Sequence, residues 1–216
     1  MNIKRAYAVL GLGRYGRAVA KELVKNGAEV LAVDMDETVV ENTKNGVPIC
    51  KCADITNIDV LTQLGVANID TVIVAMASHL EESVMAVMLC KELGVPNVIV
   101  KAATEFNKKI LLKVGADRVV IPEYESGLRL AKEVLHSGFV DIVDLSSNIS
   151  MVELAVKDEW IGKSLIELDL RKKYSLNVVA IKIGSEVTAA VDPTIPLGPE
   201  MILLVIADVS KIKKIV

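Results

Sequence analysis

Aromatic side chains are scarce in this chain, with one Trp, four Tyr and two Phe among 216 residues. A surface that stacks bases needs exposed rings, so single-stranded nucleic acid is a poor partner. An excess of basic charge is also missing. Lys and Arg number 25 against 28 Asp and Glu, for a formal net charge of -3. Without a basic stripe to meet a phosphate backbone, nucleic acid is excluded as a partner. The small cluster Lys211-Ile212-Lys213-Lys214 reads as a helix C-terminus, which favours cations. No apolar run reaches the roughly 18 residues of a membrane span, and Met1-Asn2-Ile3-Lys4-Arg5 leads straight into a strand, unlike a signal peptide. The cysteines are only Cys50, Cys52 and Cys90. An odd, sparse set points to reduced thiols and a cytosolic location. Cys50-Lys51-Cys52 lacks the C-x2-C spacing of a zinc knuckle and is assigned to core or cleft packing. Histidine is limited to His79 and His136. No Tyr-x-x-x-Lys pair, nucleophile elbow or metal triad is visible, so little in the chain suggests catalysis.

What is abundant is aliphatic. Hydrophobic residues make up 52% of the chain against 25% charged, enough for a well-buried core. A chain rich in Val and Ile and poor in aromatics suits a parallel sheet buried on both faces. The periodicity supports this. Strand-like runs at Ala6–Leu10, Glu29–Val33, Val47–Lys51, Thr71–Met76, Asn97–Val100 and Arg118–Ile121 alternate with helical runs at Arg14–Asn26, Asp36–Lys44, Ile58–Leu64, His79–Leu93, Phe106–Val114 and Glu123–His136. Such alternation predicts a Rossmann-like, doubly wound α/β sheet with right-handed crossovers. The pattern changes near Ser137-Gly138. From there strands dominate, at Ser150–Val156, Val178–Ile183 and Met201–Ile206, with a short helix within Ile161–Leu170 capped by Ser164. The expected organisation is a nucleotide-binding domain over 1–137, a linker over 138–145 and a small α+β module over 146–216.

Gly11-Leu12-Gly13-Arg14-Tyr15-Gly16 joins the first strand to the first helix, the context in which G-x-G-x-x-G binds a dinucleotide. Gly11 permits the tight turn, Gly13 lets a pyrophosphate approach the backbone, and Gly16 lets helix and strand pack closely. The helix N-terminus offers N–H groups to phosphates, and Arg14 adds a charge-assisted contact. Asp34 ends the second strand, where an acid accepts from ribose hydroxyls and disfavours a 2′-phosphate, so NADP is not expected. Asp54 closes the third strand where an adenine edge would lie, or else caps the next helix. Met76-Ala77-Ser78-His79 lies at the carboxyl end of the fourth strand, in the ligand crevice of such sheets. His79 reads either as a base in the cleft or as a helix-end residue.

The glycine loop, Ala32-Val33-Asp34, Ala53-Asp54 and Ile121-Pro122-Glu123, followed by Ile161-Gly162-Lys163-Ser164-Leu165-Ile166-Glu167-Leu168-Asp169-Leu170-Arg171, together resemble the RCK (TrkA-N) domain joined to an RCK-C (TrkA-C) module. The likeness covers nearly the whole chain. It implies a cytosolic regulatory subunit of a potassium uptake channel rather than an enzyme. Such a subunit self-associates as dimers and an octameric ring beneath a membrane pore subunit of the KtrB or TrkH kind, and gates potassium flux by changing ring shape. It implies ATP/ADP or NAD(H) as the ligand, held by Gly11, Leu12, Gly13, Arg14, Tyr15, Gly16, Asp34, Met35, Asp54, Ile55, Ala75, Met76, Ala77, Lys101 and Glu123. Glu123 would also help bind a divalent cation (Mg or Ca), and the helix it opens would join two such domains. Arg171, Asn177 and Pro193 fall in the region where some members bind cyclic di-AMP. The third strand departs from the family pattern, reading Cys52-Ala53-Asp54-Ile55-Thr56 where Gly-Asp is usual. Two alternatives are also compatible with these residues: an NAD-dependent oxidoreductase, and a standalone redox or nucleotide sensor.

Overall fold

The computed structural model describes residues 5–76, 79–135, 139–146 and 149–208. The candidate residue Ala77, together with His136, the Ser137-Gly138 junction and the Lys211–Lys214 cluster, lies outside them.

Strands β1 (Ala6–Leu10), β2 (Glu29–Asp34), β3 (Ile49–Cys52), β4 (Thr71–Val74), β5 (Asn97–Lys101) and β6 (Arg118–Val120) form one parallel sheet in the order β3-β2-β1-β4-β5-β6. That is the doubly wound arrangement, with its switch point between β1 and β4. Helices α1 (Arg14–Lys25), α2 (Glu37–Lys44), α3 (Ile58–Gln63), α4 (Leu80–Glu92) and α5 (Glu105–Val114) connect the strands, and α6 (Pro122–Leu135) follows β6.

Side chains alternate across each strand, so two cores form. On one face Val9, Val30, Ala32 and Ile73 pack with Ala20 of α1 and Val40 of α2. On the other, Ala8, Leu10, Val72, Val74, Val98 and Val100 pack with Leu61, Val87, Cys90 and Leu111. The helix starts follow local chemistry. Asp36 accepts from Thr38 and Val39 N–H, and Thr104 accepts from Asn107 N–H, which satisfies donors that a helix leaves open.

The three thiols are sorted by this packing. Cys50 is buried and its Sγ lies 3.1 Å from the Val47 carbonyl, whereas Cys52 is exposed. Burial pushes the Cys50 thiol up, and pushes Cys90 up to about 12. Reactivity needs thiolate and access. In native protein at pH 8 a disulfide reagent should therefore titrate Cys52 quickly and leave the other two until denaturant is added. Fast reaction of a second thiol would contradict this packing.

A second sheet is antiparallel, in the order β10-β9-β11-β8-β7, built from β7 (Phe139–Asp144), β8 (Ile149–Ala155), β9 (Asn177–Ile183), β10 (Glu186–Thr188) and β11 (Met201–Asp208). Short helices α7 (Leu165–Leu168) and α8 (Leu170–Tyr174) precede β9. Val152, Leu154, Trp160, Leu168, Leu203 and Val205 form its own core. Ser164 and Glu167 make a reciprocal capping box on α7. Strand β7 occupies most of the stretch expected as a linker. Its register against β8 shifts between Phe139 and Ile142, and such a shift breaks the alternation by which a strand is recognised. The chain divides into two compact units between Tyr124 and Glu125, in the first turn of α6 and ahead of the linker expected over 138–145.

Candidate functional site

The cleft forms where β1 gives way to α1. The Gly11 N–H donates to the Val33 carbonyl at 2.8 Å, turning the chain sharply with φ at +93°, a conformation that glycine adopts without strain. A Cβ on Gly16 would overlap the Gly11 carbonyl oxygen, so loop and helix are in direct backbone contact. Gly13 differs. Its φ is -61°, and apart from its immediate chain neighbours nothing lies within 4 Å of where its Cβ would sit. Nothing within the fold requires a glycine there. Gly13 is also the N-cap of α1, and no side chain caps that helix.

Asp34 sits beside this loop. Its Oδ2 accepts the Leu12 N–H at 2.6 Å and its Oδ1 accepts the Asp36 N–H at 3.0 Å. The acid thus holds the loop from below as well as facing the cleft. Leaving the Leu12 N–H without its acceptor should cost about 1–3 kcal/mol. Asp34→Ala is therefore expected to lower the melting temperature of the ligand-free protein, and Asp34→Asn, which keeps one oxygen acceptor, to lower it less. Identical melts for both variants and the parent would contradict this role.

The cleft has a volume of about 630 Å³, within the range of small-molecule sites. Its lining includes Gly11, Gly13, Arg14 and Tyr15 of the glycine loop, Asp34 at the end of β2, Ala75 and Met76 after β4, Lys101 at the end of β5 and Glu123 in the first turn of α6. Lys101 Nζ lies 2.6 Å from Glu123 Oε1 and 5.7 Å from the centre of the Tyr15 ring. The Lys101 hydrogen bond, aided by a backbone hydrogen bond and by the charges of Lys101 and Arg14, holds the Glu123 carboxyl below its ordinary range.

The remaining candidates fall elsewhere. Leu12 and Ile55 are buried in the two cores, so only their backbone is available to a ligand. Gly16 is buried beneath the loop, and Met35 is exposed beyond β2. Asp54 is outside the cleft lining. It accepts from the Thr56 hydroxyl at 2.7 Å and from the Thr56 N–H at 2.8 Å, which lowers its pKa. The cap of α3 is Asn57 rather than Asp54. His79 and Glu82 line the cleft as well. His79 is the N-cap of α4 and makes no side-chain cap bond. Glu82 had no distinguishing signal beyond its place in the first turn of the helix after β4. In the second unit Arg171 lies on α8, Asn177 opens β9, and all three of Arg171, Asn177 and Pro193 are exposed. The Pro193 carbonyl accepts the Ile166 N–H at 3.2 Å. Among the described residues no group of three or more His, Cys, Asp or Glu is placed to hold a metal ion, and no helix is long and apolar enough to cross a membrane.

Comparison with known proteins agrees with this architecture. Residues 7–122 match the TrkA-N domain and residues 149–216 the TrkA-C domain. The chain is 37% identical over 212 residues to Ktr system potassium uptake protein C of Bacillus subtilis (strain 168), covering 98% of this chain and 96% of that protein. It is 34% identical over 210 residues to Ktr system potassium uptake protein A of the same organism, covering 97% and 95%. Among solved structures, the GsuK channel bound to NAD superposes with a TM-score of 0.64 at 16% identity, covering 98% of this chain and 38% of that one, a likeness of fold. The switch-point cleft, the two sheets in this order and the paired domain matches make this chain a member of the TrkA-N/TrkA-C family.

Proposed function

We propose that the chain is the cytosolic, nucleotide-binding regulatory subunit of a potassium uptake system of the Ktr or Trk type, and not an enzyme. The observation that carries the ligand is Gly13, a glycine that the fold does not need, at the head of an uncapped helix. An uncapped helix N-terminus stabilises phosphate, and a residue without Cβ lets it come close. Arg14 and Lys101 supply positive charge, and Asp34 accepts from the ribose. ATP/ADP or NAD(H) fits this arrangement, and an acid at Asp34 disfavours a 2′-phosphate. The family relatives named for potassium uptake give the system that the ligand controls.

Control requires different affinity for two states of the assembly. The exposed apolar residues Tyr124, Leu128, Leu130 and Val134 of α6 suit a helix that joins two copies, as in a dimer and then an octameric ring below the membrane pore subunit. Glu123 residues from two copies would share a divalent cation, a hard ion that prefers carboxylate oxygen. Arg171, Asn177 and Pro193, each exposed, are the residues that would contact cyclic di-AMP.

The test is potassium flux in vesicles carrying a Ktr-type pore with this protein bound. Flux should differ between ATP and ADP, and should lose that dependence with Gly13→Ala. Flux indifferent to every nucleotide in the parent protein would refute the proposal.

A further inference from the structure

Lys101 is the deepest cation of the cleft. Its side chain is 15% exposed, whereas that of its partner Glu123 is 69% exposed. A largely dehydrated ammonium needs an anion at hand, and without ligand that anion is Glu123, at 2.6 Å. Tyr15, in the glycine loop itself, stands 5.7 Å from the same ammonium, so Lys101 bridges the phosphate loop and the first turn of α6. Lysine is a compact point charge with rotatable donors, suited to exchanging one anion for another.

Resting on the reading of the cleft as a nucleotide site, we propose that Lys101 reads the outermost phosphate of the bound nucleotide by exchanging Glu123 for it. A phosphate that reaches Lys101 carries more charge than the carboxylate and arrives already held by the loop. Glu123 moves readily because it is mostly in water. Once exchanged, it is a free carboxylate at the head of α6, able to take a cation or a partner group. A diphosphate that stops short of Lys101 leaves the ion pair closed. The phosphate count would thereby be converted into the state of one acid on the helix.

Coupling is reciprocal, so whatever the Lys101–Glu123 pair contributes is subtracted from triphosphate affinity. The test is calorimetric titration of the full chain with ATP and with ADP in EDTA, which keeps divalent cations from bridging Glu123. Lys101→Met should lose at least about tenfold more affinity for ATP than for ADP, the loss expected for one charge-assisted hydrogen bond. Lys101→Arg, which keeps the charge, should retain most of the preference and guards against a folding artefact. Glu123→Gln should raise ATP affinity by about threefold to tenfold and leave ADP nearly unchanged. An unchanged ATP-to-ADP ratio in Lys101→Met would overturn the exchange alone. A fall in ATP affinity with Glu123→Gln would do the same, because Glu123 would then assist the nucleotide rather than compete with it. Failure of the parent protein to bind either nucleotide would overturn the reading of the cleft, and this proposal with it.

Discussion

Gly16→Ala should destabilise the ligand-free protein and abolish nucleotide binding, whereas Gly13→Ala should abolish binding alone. A methyl at Gly16 would meet the Gly11 carbonyl oxygen and, at 3.0 Å, the Ala75 Cβ. The first is backbone and has no rotamer with which to yield. Overpacking of this kind costs about 1–3 kcal/mol, and for a protein of this size each kcal/mol lowers the melting temperature by about 2–4 °C. The loop would have to move, taking its N–H groups away from the phosphate position. A methyl at Gly13 meets nothing within 4 Å at an ordinary φ, so melting should stay within about 1–2 °C of the parent. It would instead occupy the space through which a phosphate approaches. Differential scanning calorimetry and nucleotide titration of both variants separate the two roles. Nucleotide binding by Gly13→Ala at parental affinity would mean that no ligand passes close to that backbone.

The largest loss of stability is expected in the second unit. Leu203 is fully buried in β11, the central strand of the antiparallel sheet, and packs in the core with Val152, Leu154, Trp160 and Leu168. Leu203→Ala should cost about 2–5 kcal/mol, the spread reflecting how far the cavity collapses. The Glu153–Lys182 ion pair, at 2.8 Å across the same strand, would not compensate, since it depends on the register that Leu203 helps to hold. Each unit has its own core, so a separate early unfolding step should appear while nucleotide binding at the first unit persists. Loss of binding in step with that early transition would show that the two units do not unfold independently.

The parallel sheet was legible because its signals are local. Buried aliphatic runs such as Val72-Ile73-Val74, caps such as Asp36 and the glycine loop each announce themselves over a few residues. In the second unit β8, β9 and β11 and the Ser164 cap were readable for the same reason. Strands β7 and β10 were not. The first has a shifted register, and the second, Glu186–Thr188, is three exposed residues at a sheet edge, too short to show a period. Candidate residues at strand ends, such as Asp34 and Met76, followed from topology. Their partnerships did not. The Asp34 bond to the Leu12 N–H, the Lys101–Glu123 pair and the inclusion of Glu82 depend on segments brought together by the fold. No spacing rule encodes that Asp54 turns toward Thr56 rather than into the cleft.

The most direct measurement is calorimetric titration of the nucleotide-free protein with ATP, ADP and NADH in parallel. At least one of these should bind with micromolar affinity (about -8 kcal/mol), and Gly13→Ala should remove the binding while melting within about 1–2 °C of the parent. Binding of none of the three to a fully folded protein would contradict this expectation, and would leave the cleft a feature of the fold alone.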